Sequence, residues 1–217
     1  MPKNAGRAEI GSDHAYLPCV LAARDVVSYA LAGEVVKGPF ESAAEQIKTS
    51  GVGDRVSARL GDGMDVIETT DDINVVTICG MGGDLISKIL EKGRLKDKLV
   101  GVERLILQPN NGEKKLREWL IGHQYKIIDE TILEENGKIY EILVAEKAES
   151  PENYTDLEYS FGRFLLQEKN DIFRKKWSAE IDKCQYILDS MQKASNDLNE
   201  KEQQVINKIN EIKEVLK

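Results

Sequence analysis

Cysteine and histidine are scarce in this chain. Three cysteines (Cys19, Cys79, Cys184) and two histidines (His14, His123) are spread over 217 residues. No Cys-x-x-Cys pair occurs, so neither a disulfide framework nor a zinc site is expected, and no metal is assigned. Long apolar runs are also missing. Nothing approaches the length of a membrane span, and the N-terminus carries no signal-peptide pattern. A cytoplasmic protein with no membrane partner is the expectation. An excess of positive charge is absent, the formal net charge being −8. That weighs against a wholly basic, phosphate-binding surface but leaves room for a local basic face. There is no internal repeat and no low-complexity segment. What is present is 41% hydrophobic and 31% charged, a globular rather than a disordered composition. The length suffices for one sizeable core plus an appendage.

The chain is organised around Ala8-Glu9-Ile10-Gly11-Ser12-Asp13-His14-Ala15-Tyr16-Leu17-Pro18. A short strand near Ala8–Ile10 breaks at Gly11, passes a small polar residue and a carboxylate, and enters Tyr16–Ala23, which reads as a helix. A glycine at the break lets the backbone approach a ligand with no Cβ in the way. The helix start that follows offers unpaired N–H groups. This is the strand, glycine turn and helix that open a nucleotide-binding α/β domain. Ser28–Val36 reads as a second buried strand, with Glu34 at its end. Gly38-Pro39 opens a helix carrying Phe40, Ala43, Ala44 and Ile47 at helical spacing. Arg55–Leu60 is a third strand, closed by Gly61-Asp62-Gly63, with a short helical turn over Met64–Glu68. Ile73–Cys79 is the clearest buried strand; Gly80-Met81-Gly82-Gly83 ends it, and Asp84–Leu90 is helical. Arg104–Gln108 is the fifth strand, and Lys114–Ile121 a helix with Leu116, Trp119 and Leu120 inward.

The pattern then changes. Tyr125–Leu133 and Lys138–Glu146 are two strands joined across Glu135-Asn136-Gly137, and Asn-Gly is a strong hairpin signal. Alternating strands and helices predict a parallel sheet with helices on both faces, finished here by an antiparallel hairpin. That finish is unusual for a dehydrogenase domain and usual for the methyltransferase version of the fold. Ala148–Asn153 is a linker by composition, dividing 1–150 from 151–217. Beyond it Trp177, Ile181, Cys184, Leu188, Met191, Leu198, Val205, Ile209, Ile212 and Leu216 fall on alternating four/three spacing, broken at Ser195 and Glu202. This is a heptad seam. Ser195-Asn196-Asp197 reads as a break with a fresh N-cap, so an antiparallel helix pair is expected rather than one rod. The same seam could instead recruit a second protomer.

Ligands of an open α/β sheet bind outside the carboxyl ends of its strands. Those ends carry Gly11-Ser12-Asp13, Glu34, Asp62, Gly80-Met81-Gly82 and Gln108-Pro109-Asn110. Each alone has a plain reading: a turn, a solvated carboxylate, a tight loop. Their shared position is the specific signal. Glu34 stands where a ribose-binding acid belongs, and Asp62 can accept from an adenine amino group. A dinucleotide needs glycines where its pyrophosphate meets the helix. Here those fingerprint positions hold Asp13 and Tyr16. A carboxylate repels a pyrophosphate and attracts a sulfonium or an amino-acid ammonium. S-Adenosylmethionine is therefore favoured over NAD.

The runs AEIGSDHAYLP (8–18), ALAGEVVKGPFESA (30–43), RLGDGMDVI (59–67), ICGMGG (78–83), LILQPN (105–110) and KIYEILVAEK (138–147) resemble the bacterial tRNA adenine-N1 methyltransferases that act on adenine 22, in the D-arm region. FGRFLLQEKNDIFRKKW (161–177) is similar to that family's join between catalytic domain and coiled coil. The resemblance covers essentially the whole chain. It implies a Rossmann-like class I methyltransferase sheet with the C-terminal hairpin, followed by an α-helical coiled-coil domain. It implies S-adenosylmethionine as cofactor, S-adenosylhomocysteine as product, and tRNA as partner. Glu9, Gly11 and Asp13 would sit near the methionine end. Glu34 and Val35 would hold the ribose, and Gly61, Asp62 and Gly63 would face the adenine. Cys79, Gly80, Met81 and Gly82 would line the place where methyl meets base. Many amino-group methyltransferases carry Asn-Pro-Pro-aromatic there, so base-holding must come partly from elsewhere. Asp13, Tyr16 and Asn110 are the candidates for the catalytic end, although Tyr16 also reads as core and Asn110 as a turn former. His14 reads as structural. Arg163, Lys169, Arg174, Lys175 and Lys176 form a basic cluster, read either as a solvated helix face or, given the resemblance, as an RNA contact. Two departures stand out: Glu9 replaces the family's usual Asp, and only Met1–Arg7 precedes the first strand where members usually carry an amphipathic helix. Open rivals are a methyltransferase for another substrate, a nicotinamide dehydrogenase, and an RNA-binding protein without catalysis.

Overall fold

The computed structural model describes residues 5–194 and 199–217. Seven strands form one sheet in the order β3-β2-β1-β4-β5-β7-β6. They are β1 (Ala5–Ile10), β2 (Val27–Glu34), β3 (Val56–Leu60), β4 (Ile73–Gly82), β5 (Arg104–Asn111), β6 (Tyr125–Glu135) and β7 (Lys138–Lys147). The first five run parallel. β7 lies antiparallel to both β5 and β6. Helices α1 (Tyr16–Ala23), α2 (Lys37–Thr49), α3 (Gly83–Leu95) and α4 (Glu113–Gly122) follow β1, β2, β4 and β5. A 3-10 turn, Gly63–Val66, follows β3.

The central strands are apolar on both faces, as helix-covered parallel strands must be. Val76, Ile78, Leu105 and Leu107 face one cluster with Ile86, Leu90, Leu116 and Leu120 of α3 and α4. Ala30 and Ala32 face the other, with Cys19, Ala22, Ala43 and Ile47 of α1 and α2. At the site, β4 and β5 run longer than their sequence suggests. β4 continues through Gly80-Met81-Gly82 because Met81 and Gly82 still pair with Pro109 and Asn111, across an irregularity after Cys79. A glycine stretch that reads as a turn is thus a bent strand extension, and Asn110 lies in β5 rather than in a turn.

After the hairpin, α5 (Asp156–Phe161), α6 (Arg163–Glu168), α7 (Asp171–Ala194) and α8 (Asn199–Leu216) follow. Phe161, Leu165, Phe173, Ile212 and Val215 bury against Ile132 of β6. The helical segment is therefore packed on the sheet edge. α7 and α8 touch in reverse order, Arg174 reaching Leu216 and Glu180 reaching Lys208. Cys184, Leu188 and Ile209 are buried between them. The seam closes on Val215, 6% exposed, while Leu216 is half-buried. Among the described residues it is filled within one chain. The expected break at Ser195-Asn196-Asp197, and Leu198, lie outside the described residues.

Candidate functional site at the strand ends

The carboxyl ends of β1 to β5 share one edge of the sheet, and the loops after them touch. Gly11 has φ +73, and a Cβ there would lie 2.1 Å from the Met81 methyl. The turn after β1 and the end of β4 are therefore in contact. The Gly11 and Ser12 N–H groups donate to the Gly33 carbonyl at 2.9 and 3.2 Å. Asp13 (φ 55) and Ala15 (φ 53) are also left-handed, which curls the loop over β2. The Asp13 main-chain N–H donates to the Glu34 carboxylate, which is 6% exposed. Glu9 is buried beside it and accepts from Ser12 Oγ at 2.5 Å. Burial pushes the Glu9 carboxyl above its ordinary range, opposed by the Ser12 hydrogen bond and by Arg7.

The side chain of Asp13 takes another course. It is 71% exposed and sits 2.9 Å from His14 Nδ1. His14 stacks on Tyr16, with ring centroids 5.4 Å apart. Tyr16 is 60% exposed, so it is not core. Its helix buries Pro18, Cys19 and Ala22 instead, which turns Tyr16 outward. Val35 is exposed too.

At the end of β3, the Gly61 N–H donates to the Glu34 carbonyl at 2.7 Å. Gly63 is left-handed, with φ +60. Between them the Asp62 carboxylate accepts from Lys92 Nζ at 2.6 Å. Lys92 also reaches Asp65 at 3.1 Å, and the two carboxylates, Asp62 first, hold its ammonium above the ordinary range. Sequence reading missed Lys92, because it stands thirty residues away on α3 in an ordinary solvent-facing pattern.

At the ends of β4 and β5, burial pushes the Cys79 thiol up to about 11. Gly80, with φ +76, anchors a closed cycle of amides. Its N–H donates to Gln108 Oε1 at 2.9 Å, and its carbonyl accepts from Asn110 Nδ2 at 2.7 Å. Gln108 Nε2 in turn donates to Asn110 Oδ1 at 3.0 Å. Gln108 has no motif of its own; only its place at a strand end marks it. Among the described residues, no group of three or more His, Cys, Asp or Glu is placed to hold a metal. No described helix is long and apolar enough to cross a membrane.

The family model for tRNA (adenine(22)-N(1))-methyltransferases matches residues 7–214. The chain belongs to this family. A curated Bacillus subtilis tRNA (adenine(22)-N(1))-methyltransferase is 45% identical, covering 100% of this chain and 91% of its own. The solved structure of a putative Streptococcus pneumoniae tRNA (m1A22) methyltransferase in complex with S-adenosyl-L-methionine is 43% identical. Its TM-score is 0.90, covering 99% of this chain and 94% of that one. A Mycoplasma capricolum family member, solved with S-adenosyl-homocysteine, is 28% identical with a TM-score of 0.84, covering 97% and 92%.

The members of the basic cluster are held in different ways. Its five members do not form one free face. Arg163 is bound to Glu152 and Glu158, each at 2.7 Å, and lies 3.9 Å from the Tyr154 ring. Lys176 is held between Glu113 at 2.5 Å and Glu141 at 2.7 Å. Lys175 reaches Glu134, and Arg174 donates to the Leu216 carbonyl. Lys169 carries no ion pair among the described residues. In a chain of net charge −8, cations find carboxylates close at hand. Arg163 and Lys176 are fastenings of the fold; Arg174 and Lys175 are exposed, and Lys169 is half-buried.

Proposed function

We infer that the protein transfers the methyl group of S-adenosylmethionine to N1 of adenine 22 in tRNA. The observation that carries this is the meeting of Gly11, Glu34, Asp62 and Met81 at one sheet edge in a chain matched to this family over residues 7–214. The adenine N1 lone pair attacks the methyl carbon, and the C–S electrons return to sulfur. The products are S-adenosylhomocysteine and a cationic 1-methyladenine. N1 is nucleophilic at neutral pH, so no strong base is required. Alignment of N1, methyl carbon and sulfur is the main contribution, and good alignment can lower a barrier by roughly 7–11 kcal/mol at best. The base must first leave its stack, at a cost of a few kcal/mol.

In this reading Glu34 holds the ribose hydroxyls, and Asp62, with Gly61 and Gly63, faces the cofactor adenine. Glu9, Gly11 and Asp13 receive the methionine end, while Cys79, Gly80, Met81 and Gly82 border the transferred methyl. Of the sequence candidates Asp13, Tyr16 and Asn110, Asn110 is the one we place on the target side. Residues 1–150 serve as the cofactor-binding domain, and the helix pair of 151–217 is a coiled-coil arm contacting tRNA. The work is that of a cytoplasmic enzyme. The test is methyl incorporation from labelled S-adenosylmethionine into unmodified tRNA carrying adenine or guanine at position 22. Incorporation into the adenine form alone supports the assignment. Equal incorporation into both, or none into either, overturns it.

A further inference from the structure

An open cavity of about 460 Å³ lies beside the amide cycle, between the ends of β4 and β5 and the hairpin. Gly80, Gln108 and Asn110 form one wall, and Leu133, Tyr140 and Ile142 the other, with Glu135 at its edge. The second wall follows from the hairpin register. Leu133 pairs with Tyr140, and Ile142 lies two residues further along β7, so all three side chains share one sheet face. The volume falls within the range of about 300–1,000 Å³ common for small-ligand pockets. Gly80 borders this cavity, while its neighbour Met81 touches Gly11 on the cofactor side. One dipeptide therefore borders both this cavity and the turn after β1.

We propose that this cavity receives the target adenine, stacked on Tyr140 and read on its N6/N7 edge by Asn110. The proposal rests on the tRNA-adenine reading above and adds the seat of the base. Methyl transfer to N1 requires that N1 be left free, so the base must be held by its other edge. Asn is suited to this, since its carbonyl can accept from N6 or its N–H can donate to N7. Asn110 spends one N–H on the Gly80 carbonyl and one lone pair on Gln108. Its amide retains a second N–H and a second lone pair. The cycle fixes which way that amide faces. Guanine presents acceptors at both O6 and N7, so it cannot supply the donor that Asn110 Oδ1 needs. A flipped base also needs a flat apolar surface, which Tyr140 supplies with Leu133 and Ile142 beside it. Tyr16, the aromatic residue favoured by sequence, stands instead on the side of β1 and β2.

The test compares Tyr140→Ala and Tyr140→Phe with the wild-type full chain. Loss of base–aromatic stacking should lower kcat on adenine-22 tRNA by about 10–100-fold. S-Adenosylhomocysteine affinity, measured by calorimetry, should stay within twofold, and Tyr140→Phe should restore kcat. With 8-vinyladenine, a fluorescent analogue that keeps N6 and N7, at position 22, the base should stay quenched by stacking when the wild type binds and brighten when Tyr140→Ala binds. If the alanine variant fails to bind S-adenosylhomocysteine, Tyr140→Leu, which keeps the apolar bulk, carries the same measurements. Wild-type kcat together with wild-type quenching in the variant without the ring overturns the pocket. A wild-type enzyme that methylates no tRNA overturns the functional reading, and the pocket with it.

Discussion

Glu34 is the side chain on which most of the site's order depends. Its carboxylate is buried, and it accepts from the Asp13 N–H. Its carbonyl accepts from the Gly61 N–H at 2.7 Å. It thus ties the loop after β1 and the loop after β3 to the end of β2. If that carboxylate also binds the cofactor ribose, Glu34→Ala should raise the Kd for S-adenosylhomocysteine. A hydrogen bond to a charged group is worth about 1.5–3 kcal/mol, so the increase should be roughly ten- to hundredfold by calorimetry. An unchanged Kd would remove Glu34 from the site. The position of Glu34 was legible in the sequence, since a carboxylate closing a buried strand 23 residues after the glycine turn is a local pattern. The course of Asp13 was not. A left-handed backbone at φ 55 presents its N–H inward and its side chain outward, and sequence spacing carries no such information.

The hairpin and the helices around it are held by charges that no periodicity reveals. Arg117, fully buried on α4, donates to Glu130 of β6 at 2.7 Å and to Glu141 of β7 at 2.6 Å. The second oxygen of Glu130 accepts from the Phe164 N–H at 3.0 Å. Glu141 is shared with Lys176 of α7. One arginine therefore joins α4, the hairpin and the segment beginning at α5. Removing one partner of a buried pair leaves an uncompensated charge, at a cost of about 3–5 kcal/mol. Arg117→Ala should lose stability of that order by urea denaturation, more than the surface change Lys138→Ala. A loss under 1 kcal/mol would show that the network is solvated. Leu116, Trp119 and Leu120 on the same helix could be read as inward from their spacing. Arg117 could not, because a charged residue beside an apolar stripe normally faces water, and its partners lie 13 and 24 residues away.

At the scale of the molecule, an acidic chain has to grip a polyanion. Arg163 and Lys176 are held by internal carboxylates, so the half-buried Lys169 and the exposed Arg174 and Lys175 are the members of the cluster that we propose for phosphate. The double change Lys169→Ala and Lys175→Ala should raise KM for tRNA and flatten its salt dependence, by about one in log–log slope per lost phosphate contact. Cofactor affinity should not move. Lys176→Ala should instead lower the unfolding midpoint, because it unpairs Glu113 and takes one of its two cations from the buried Glu141. The alternating strands, the glycine turns, the strand-end acids and the heptad spacing are written in local periodicity and turn chemistry, and the sequence by itself determined them. Which side chains share a chamber was decided only by the tertiary structure. The Gln108–Gly80–Asn110 cycle, the Lys92–Asp62 pair, the fastening of Arg163 and Lys176, and Tyr140 facing Gly80 each join residues on different elements. Such pairings depend on sheet order and register, which set distances that sequence separation does not encode.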